Sequence, residues 1–430
     1  MATGSAGVAP GERVAPVLAG PRRALVAHRR VALALALGLV LRAVLLPITA
    51  GPDFRIWDLT AAAALHGQDT YSRPPAAIDR YGPYAYFPLY LYLLLPLKWL
   101  ALHTGLPYVV LGKLPVVAGD AGVALGLGTV LRRAGRGEGA CALGVGLFFL
   151  NPLVLYNGAF YGRFDSLALA VLLLTWVRLP RVAEGRAGLA TPYALAVALK
   201  TFPIFLLPYL LARLGLRRGR RVALATVLVP LVISLPYLLH DAQRFLYIVF
   251  VYDSTKGPRQ FSWQIALLRL GLSERAATVV SYGLLALFAL ALVVPLLPLT
   301  LKGRGRQPLP SPPRSPSLVV RERGARGVRD DPYVYAAVAF TLFLVLSKVV
   351  YEQYLLWPLP FLIVLAVRDR ARDALALLVV LSVTGLLANG WIHPFGYNPY
   401  PALWLNGLIA GAAALFVLGR VVSRQLSAGS

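Results

Sequence analysis

What most constrains this chain is the recurrence of long apolar runs along nearly its whole length, separated by arginine-rich loops or short polar knots. The first run, Val31 to Ala50, is long enough to cross a bilayer, since about 20 apolar residues at 1.5 Å each match a ~30 Å hydrocarbon core. Only 14% of the 430 residues are charged, 58% are hydrophobic, and the mean hydropathy of +0.67 lies outside the range of soluble globular proteins. The chain therefore reads as an all-α polytopic membrane protein. Its formal net charge of +25 does not imply a nucleic-acid partner, because the arginines sit in the loops between runs. That is the positive-inside pattern, reinforced by anionic lipid head groups. The single cysteine, Cys141, leaves no intrachain disulfide.

The composition divides the chain into a basic tail (1–30), an N-terminal transmembrane module (31–301), a Pro/Ser/Arg-rich cytoplasmic loop (302–331), C-terminal transmembrane helices (332–420) and a short tail (421–430). Both the first tail and the 302–331 loop are expected to be disordered. Within the module, the loop 51–82 is too polar to span, and Ile56 to His66 has the composition of a short surface helix. Breaks interrupt later runs at Tyr161-Gly162-Arg163-Phe164-Asp165, at Lys200-Thr201-Phe202-Pro203 and at Ser347 to Tyr354. Val222 to Leu239 is expected to span, and His240 to Gln264 to form a polar, aromatic-rich excursion. About 11 to 13 membrane segments follow, counting re-entrant ones.

Keeping every arginine-rich loop cytoplasmic requires a net odd number of crossings between residues 83 and 131. It also requires that Leu189 to Leu214 enter and return, turning at Lys200. The alternative, two crossings and one crossing respectively, puts Arg132, Arg133, Arg178 and Arg181 outside. The first topology gathers Asp53, Arg163, Asp165, Lys200, Lys256, Lys348 and Glu352 at one end of the bundle, the non-cytoplasmic end.

Charges inside apolar runs cost roughly 2.5 to 3.5 kcal/mol each, which marks them as functional candidates. Asp53 and Asp58 serve equally well as solvated interface residues, and Arg163 and Asp165 as an ion pair across a tight turn. Lys200, just before a proline break, joins a cation to freed backbone groups and makes an anion site. Lys348 and Glu352, four apart, would pair on a continued helix, and Asp120 could satisfy a neighbouring span. His66, His103, His240 and His393 show no metal-ligand spacing, so no metal and no cofactor is expected. A carboxylate base with several cations is the minimum for sugar transfer from a lipid phosphate.

At these residues the chain resembles the GT-C superfamily of polytopic glycosyltransferases, in particular the GPI mannosyltransferase I catalytic subunit and bacterial polyprenol-phosphate-mannose-dependent mannosyltransferases. Asp53-Phe54-Arg55-Ile56-Trp57 is similar to the first-loop acidic motif, followed by Gly67 to Tyr71 and Tyr84 to Leu89, then Gly112-Lys113 with Asp120. Asn151-Pro152 with Gly162 to Ser166, Lys200 with Pro203, Tyr252 to Ser262, and Ser347-Lys348-Val349 with Gln353 to Trp357 continue the match in family order. The resemblance implies a GT-C helix bundle with a functional first extracytoplasmic loop. It also implies an inverting transferase that uses a polyprenyl-phosphate sugar, most simply mannose, and a lipid-linked or glycan acceptor, without a nucleotide sugar. Asp53 takes the role of base. Lys348, Arg163, Lys200 and Arg259 are candidates for the donor phosphate; Gln353, Tyr354 and Asp165 for donor binding. Where the eukaryotic relatives show a D-x-D, this chain has Gly51, which weakens a metal-dependent reading and leaves Asp58 as the secondary acid.

The expected protein is thus a multi-pass hexosyltransferase of a bacterial cytoplasmic membrane, surrounded by membrane lipids, its site facing outside. A transporter or flippase of a lipid-linked sugar is the alternative from another class. It is disfavoured because no internal repeat is found and a transporter has no need of a base.

Overall fold

The computed structural model describes residues 29–71, 82–183, 188–252, 259–260, 264–293, 331–347, 349–388, 408–417 and 419–420. Lys256, Lys348, the tails, nearly all of the 302–331 loop and the loop from Trp391 to Tyr400 lie outside them. Apolar runs closed by Pro, Gly or charged residues become helices: α1 (Arg29–Leu45), α2 (Pro52–Leu65), α3 (Leu89–Thr104), α4 (Tyr108–Leu111) and α5 (Leu114–Arg133). There follow α6 (Glu138–Phe149), α7 (Pro152–Leu155) running into a π-helix (Tyr156–Phe160), α8 (Asp165–Ala183) and α9 (Ala190–Leu199). After a 3-10 turn (Phe202–Leu206) come α10 (Leu207–Ile233), α11 (Leu235–Leu246) with a second π-helix (Tyr247–Val251), α12 (Gln264–Arg269) and α13 (Glu274–Val293). The last part holds α14 (Pro332–Leu346), a 3-10 turn (Glu352–Leu356), α15 (Leu359–Arg368), α16 (Arg372–Ala388) and α17 (Leu408–Val417). Among the described residues, extended pairing is confined to a two-residue parallel bridge between β1 (Arg259–Gln260) and β2 (Val349–Val350).

The core lies where α5, α6, α8, α9, α14 and α15 pack together. On the face of α5 toward α8, Gly119, Gly122 and Gly126 lack side chains at the contact. A Cβ on Gly119 would stand 2.5 Å from the backbone nitrogen of Leu167. Small residues at this spacing let two backbones approach closely, a device of helix pairs in apolar surroundings. The consequence is positional: the first turn of α8, with Asp165 and Ser166, is pressed against α5. Outward-facing leucines and valines such as Leu125, Leu143, Leu174, Val227 and Val232 are exposed, a surface suited to hydrocarbon rather than water.

Contacts at the helix ends fix their direction. At one end Arg30 N donates to Glu138, Arg133 to the Val177 carbonyl, the Trp176 indole to the Pro332 carbonyl, and Arg368 to Asp331. At the other, α3 stays beside α2, through Lys98–Asp58 and Tyr90–Trp57, and the chain returns to Phe54 at Tyr108. Between residues 83 and 131, α5 is then the helix that runs from one end, at Lys113, to the other, at Arg133. Likewise α10 packs back on α9, with Lys200 at the turn.

Among the described residues, by length and apolarity, the rod Tyr108–Arg133 qualifies as a membrane span, and each of two bent helix pairs would add one if counted as a single span. The expected 11 to 13 segments do not follow from helix lengths, because breaks cut the other apolar runs into shorter pieces. Two local expectations are corrected. The helix after Gly51 starts at Pro52 rather than Ile56, and it buries Phe54, Trp57, Thr60 and Ala61. Val222 to Leu239 is not one rod: the helices on either side of Ser234 bend by 93°. The stretch after His240, expected as a polar, aromatic-rich excursion, is helical through Val251.

Candidate functional site

Asp53 enters through chain geometry. Pro52 opens α2, so Asp53 stands in the first helical turn, where a carboxylate suits the unpaired N–H groups. The preceding Gly51 donates its N–H to the Tyr161 carbonyl at 2.9 Å, and a Cβ there would lie 2.1 Å from the Tyr161 ring. No second acid of a D-x-D fits at that position. Asp58, one helical turn on, pairs instead with Lys98 at 2.5 Å, away from Asp53's partners.

Arg163 comes from the break that separates the π-helix from α8. Gly162 takes a left-handed φ of +84°, and the Arg163 N–H closes onto the Asn157 carbonyl at 2.8 Å. The side chain then donates from Nε to Asp53 Oδ2 at 3.1 Å, and from Nη1 to Asn157 Oδ1 at 3.0 Å and Glu352 Oε1 at 2.5 Å. Burial alone would lower its pKa, but Glu352 and Asp53 outweigh this and hold it above the ordinary arginine value. Arg163 and Asp165 are therefore not each other's ion-pair partners. Asp165 receives Lys200 Nζ at 2.7 Å on one oxygen and the Trp357 indole N–H at 2.7 Å on the other. Trp357 stacks on Phe202 at 4.3 Å and packs tilted against Tyr354 at 4.2 Å, and the Lys200 ammonium lies 5 to 6 Å from the rings of Phe164, Tyr86 and Tyr354.

Accessibility separates these groups. The Asp53 side chain is 31% exposed; those of Arg163, Glu352, Lys200 and Asp165 are 9%, 5%, 6% and 1%. The site therefore opens at Asp53 and has Glu352 and Asp165 as its floor. Behind it, the fully buried Lys113 donates to the carbonyls of Leu46, Ala159 and Phe160, each at 2.9 Å, and to that of Thr49. These are the oxygens left unsatisfied where α1 and the π-helix end, so one ammonium ties together the segments that deliver Asp53 and Arg163.

The structure thus brings together Asp53, Arg163, Asp165, Lys200 and Tyr354, and Gln353 lies buried beside them in sequence. Arg259 is placed through its backbone, in register with Val349, and Lys348 lies outside the described residues. Lys348 and Glu352 do not share a helix, because the chain between them is extended at Val349–Val350. Glu352 was placed at this end of the bundle but given no part in donor binding, and Asn157 was not singled out. Glu352's signal, an acid in an otherwise apolar stretch, was visible but absorbed into the expected pairing with Lys348. Asp120 does satisfy a neighbouring span, accepting from Arg42 Nε at 2.9 Å.

A family model, glycosyltransferase family 87, matches residues 84–309, more than half of the chain and including Arg163, Asp165 and Lys200. The chain belongs to glycosyltransferase family 87. Two solved structures of ArnT from Cupriavidus metallidurans are similar to this family 87 chain. The apo structure has a TM-score of 0.39 and 17% identity, covering 92% of this chain and 77% of that one. The structure bound to undecaprenyl phosphate has a TM-score of 0.40 and 16% identity, covering 93% and 79%. No curated protein matches.

Proposed function

We propose that this family 87 glycosyltransferase is an integral membrane enzyme of the GT-C type. It transfers a hexose, most simply mannose, from a polyprenyl-phosphate donor to a lipid-linked or glycan acceptor, with inversion, on the extracytoplasmic face of a bacterial cytoplasmic membrane. The observation that carries this reading is the Asp53–Arg163–Glu352 chain of contacts at the open end of the bundle. It supplies an accessible carboxylate held in place by a buried guanidinium.

In this reading Asp53 Oδ1 accepts the proton of the acceptor hydroxyl. The acceptor oxygen forms a bond to the anomeric carbon, and the bond from that carbon to the phosphate oxygen breaks, releasing the lipid phosphate with its electron pair. Arg163 Nη2 makes no hydrogen bond among the described residues and is the group offered to the phosphate, while Nε and Nη1 keep the site in register. Lys200 adds positive charge from behind, and Lys348 and Arg259 remain candidates for the same phosphate. Asp165 holds Lys200 and Trp357, and Gln353 and Tyr354 are assigned to the donor sugar.

The test is transfer itself. Membranes containing the wild-type protein, given radiolabelled polyprenyl-phosphate mannose and total lipid extract, should form a new labelled product, with or without a chelator. Absence of product with mannose, glucose and arabinose donors alike, despite measurable donor binding, would sink this reading in favour of transport.

A further inference from the structure

We infer that Glu352 is the sugar-binding carboxylate of the site: its second oxygen accepts a hydrogen bond from one hydroxyl of the transferred sugar and so reads which hexose is bound. The inference rests on the donor reading above and deepens it. Glu352 Oε1 is occupied by Arg163, but Oε2 of the same carboxylate is buried and has no partner among the described residues. Buried polar atoms are nearly always satisfied, so an orphaned carboxylate oxygen at the floor of an open site calls for a donor that arrives from outside. The next residue repeats the pattern: Gln353 is 4% exposed, and its Oε1 is also buried and unpartnered.

The chemistry of these atoms narrows the visitor. Both are acceptor oxygens, so a phosphate, itself an acceptor, cannot satisfy them. A metal ion would need several ligands, and among the described residues no group of three His, Cys, Asp or Glu side chains is placed to hold one. A polyhydroxylated ring brings neutral O–H donors and fits. Its path is set by accessibility: a ring entering beside the partly exposed Asp53 meets the carboxylate that shares Asp53's guanidinium, with Tyr354 and Tyr86 near the same floor. A site built to hydrogen-bond a particular hydroxyl rejects analogues lacking it far more strongly than an apolar pocket does.

The experiment pairs donor and protein changes. Polyprenyl-phosphate mannose and its 2-, 3-, 4- and 6-deoxy analogues are compared with the wild type, Glu352→Gln and Glu352→Ala. In the wild type one deoxy position should lower kcat/KM by roughly 10- to 100-fold, the loss of one charge-assisted hydrogen bond. In Glu352→Ala that same analogue should perform within about threefold of the parent donor, because the partner is already gone. A wild type indifferent to every deoxy position, or a deoxy penalty that persists undiminished in both variants, overturns the inference. If Glu352→Ala does not fold, Glu352→Gln, which keeps the size but loses the charge, carries the comparison. Failure of the wild type to use any parent donor would instead refute the donor reading.

Discussion

At the scale of residues, the account turns on one guanidinium between two carboxylates. Arg163 joins Asp53, 110 positions away, to Glu352, 189 positions away. The charges themselves were legible, because ionised groups in apolar runs are costly and stand out. Their partners were not, because spacing reports only neighbours on one helix, whereas these pairs are made by tertiary packing. Spacing therefore suggested Arg163 with Asp165, whereas the fold pairs Arg163 with Asp53 and Glu352, and Asp165 with Lys200. Removing the guanidinium with Arg163→Gln leaves Glu352 buried without its cation. It should lower stability by about 3 to 5 kcal/mol and, in the folded fraction, transfer by more than about 100-fold; thermal unfolding and initial rates check both. Gly51 makes a second test. Because a side chain there enters the Tyr161 ring, Gly51→Asp should lower both thermal stability and transfer, rather than create a D-x-D site with metal-stimulated activity.

At the scale of elements, the breaks were readable and their internal geometry was not. Gly162 and Pro203 announce where helices stop, but nothing in the pattern announces the π-helix at Tyr156–Phe160, whose freed carbonyls create the seat of Lys113. The 93° bend at Ser234 did have a signal, Ser234 followed by Pro236 in the first turn of α11, but the apolar residues on either side made the stretch read as one span. Lys113→Met leaves four backbone oxygens without a donor, so it should lower the unfolding midpoint and reduce kcat more than KM, because Asp53 and Arg163 are displaced together. Equal loss of kcat and gain of KM would argue against a positioning role. On α5, Gly119→Leu drives a side chain into the backbone of α8 and should destabilise by about 1 to 3 kcal/mol or more, seen as reduced yield and earlier thermal unfolding.

At the scale of the whole molecule, positive loops and intervening charges sort to opposite ends, and that sorting was the most legible property of the sequence. Arg30, Arg133 and Arg368 make their contacts at one end, while Asp53, Arg163, Asp165, Lys200 and Glu352 meet at the other. In the proposed reading this polarity has a purpose: the basic end anchors, and the opposite end carries the chemistry. The central claim is that Asp53 is the base of that chemistry, and Asp53→Asn tests it most directly. Asparagine keeps the size of the side chain and an oxygen for Arg163 but cannot accept the acceptor's proton. With radiolabelled polyprenyl-phosphate mannose and total lipid extract, the variant should fold and bind donor like the wild type yet transfer about 100- to 10,000-fold more slowly, the usual contribution of a positioned base. Transfer within a few-fold of the wild type, with donor binding intact, would contradict the account and move the base to another residue.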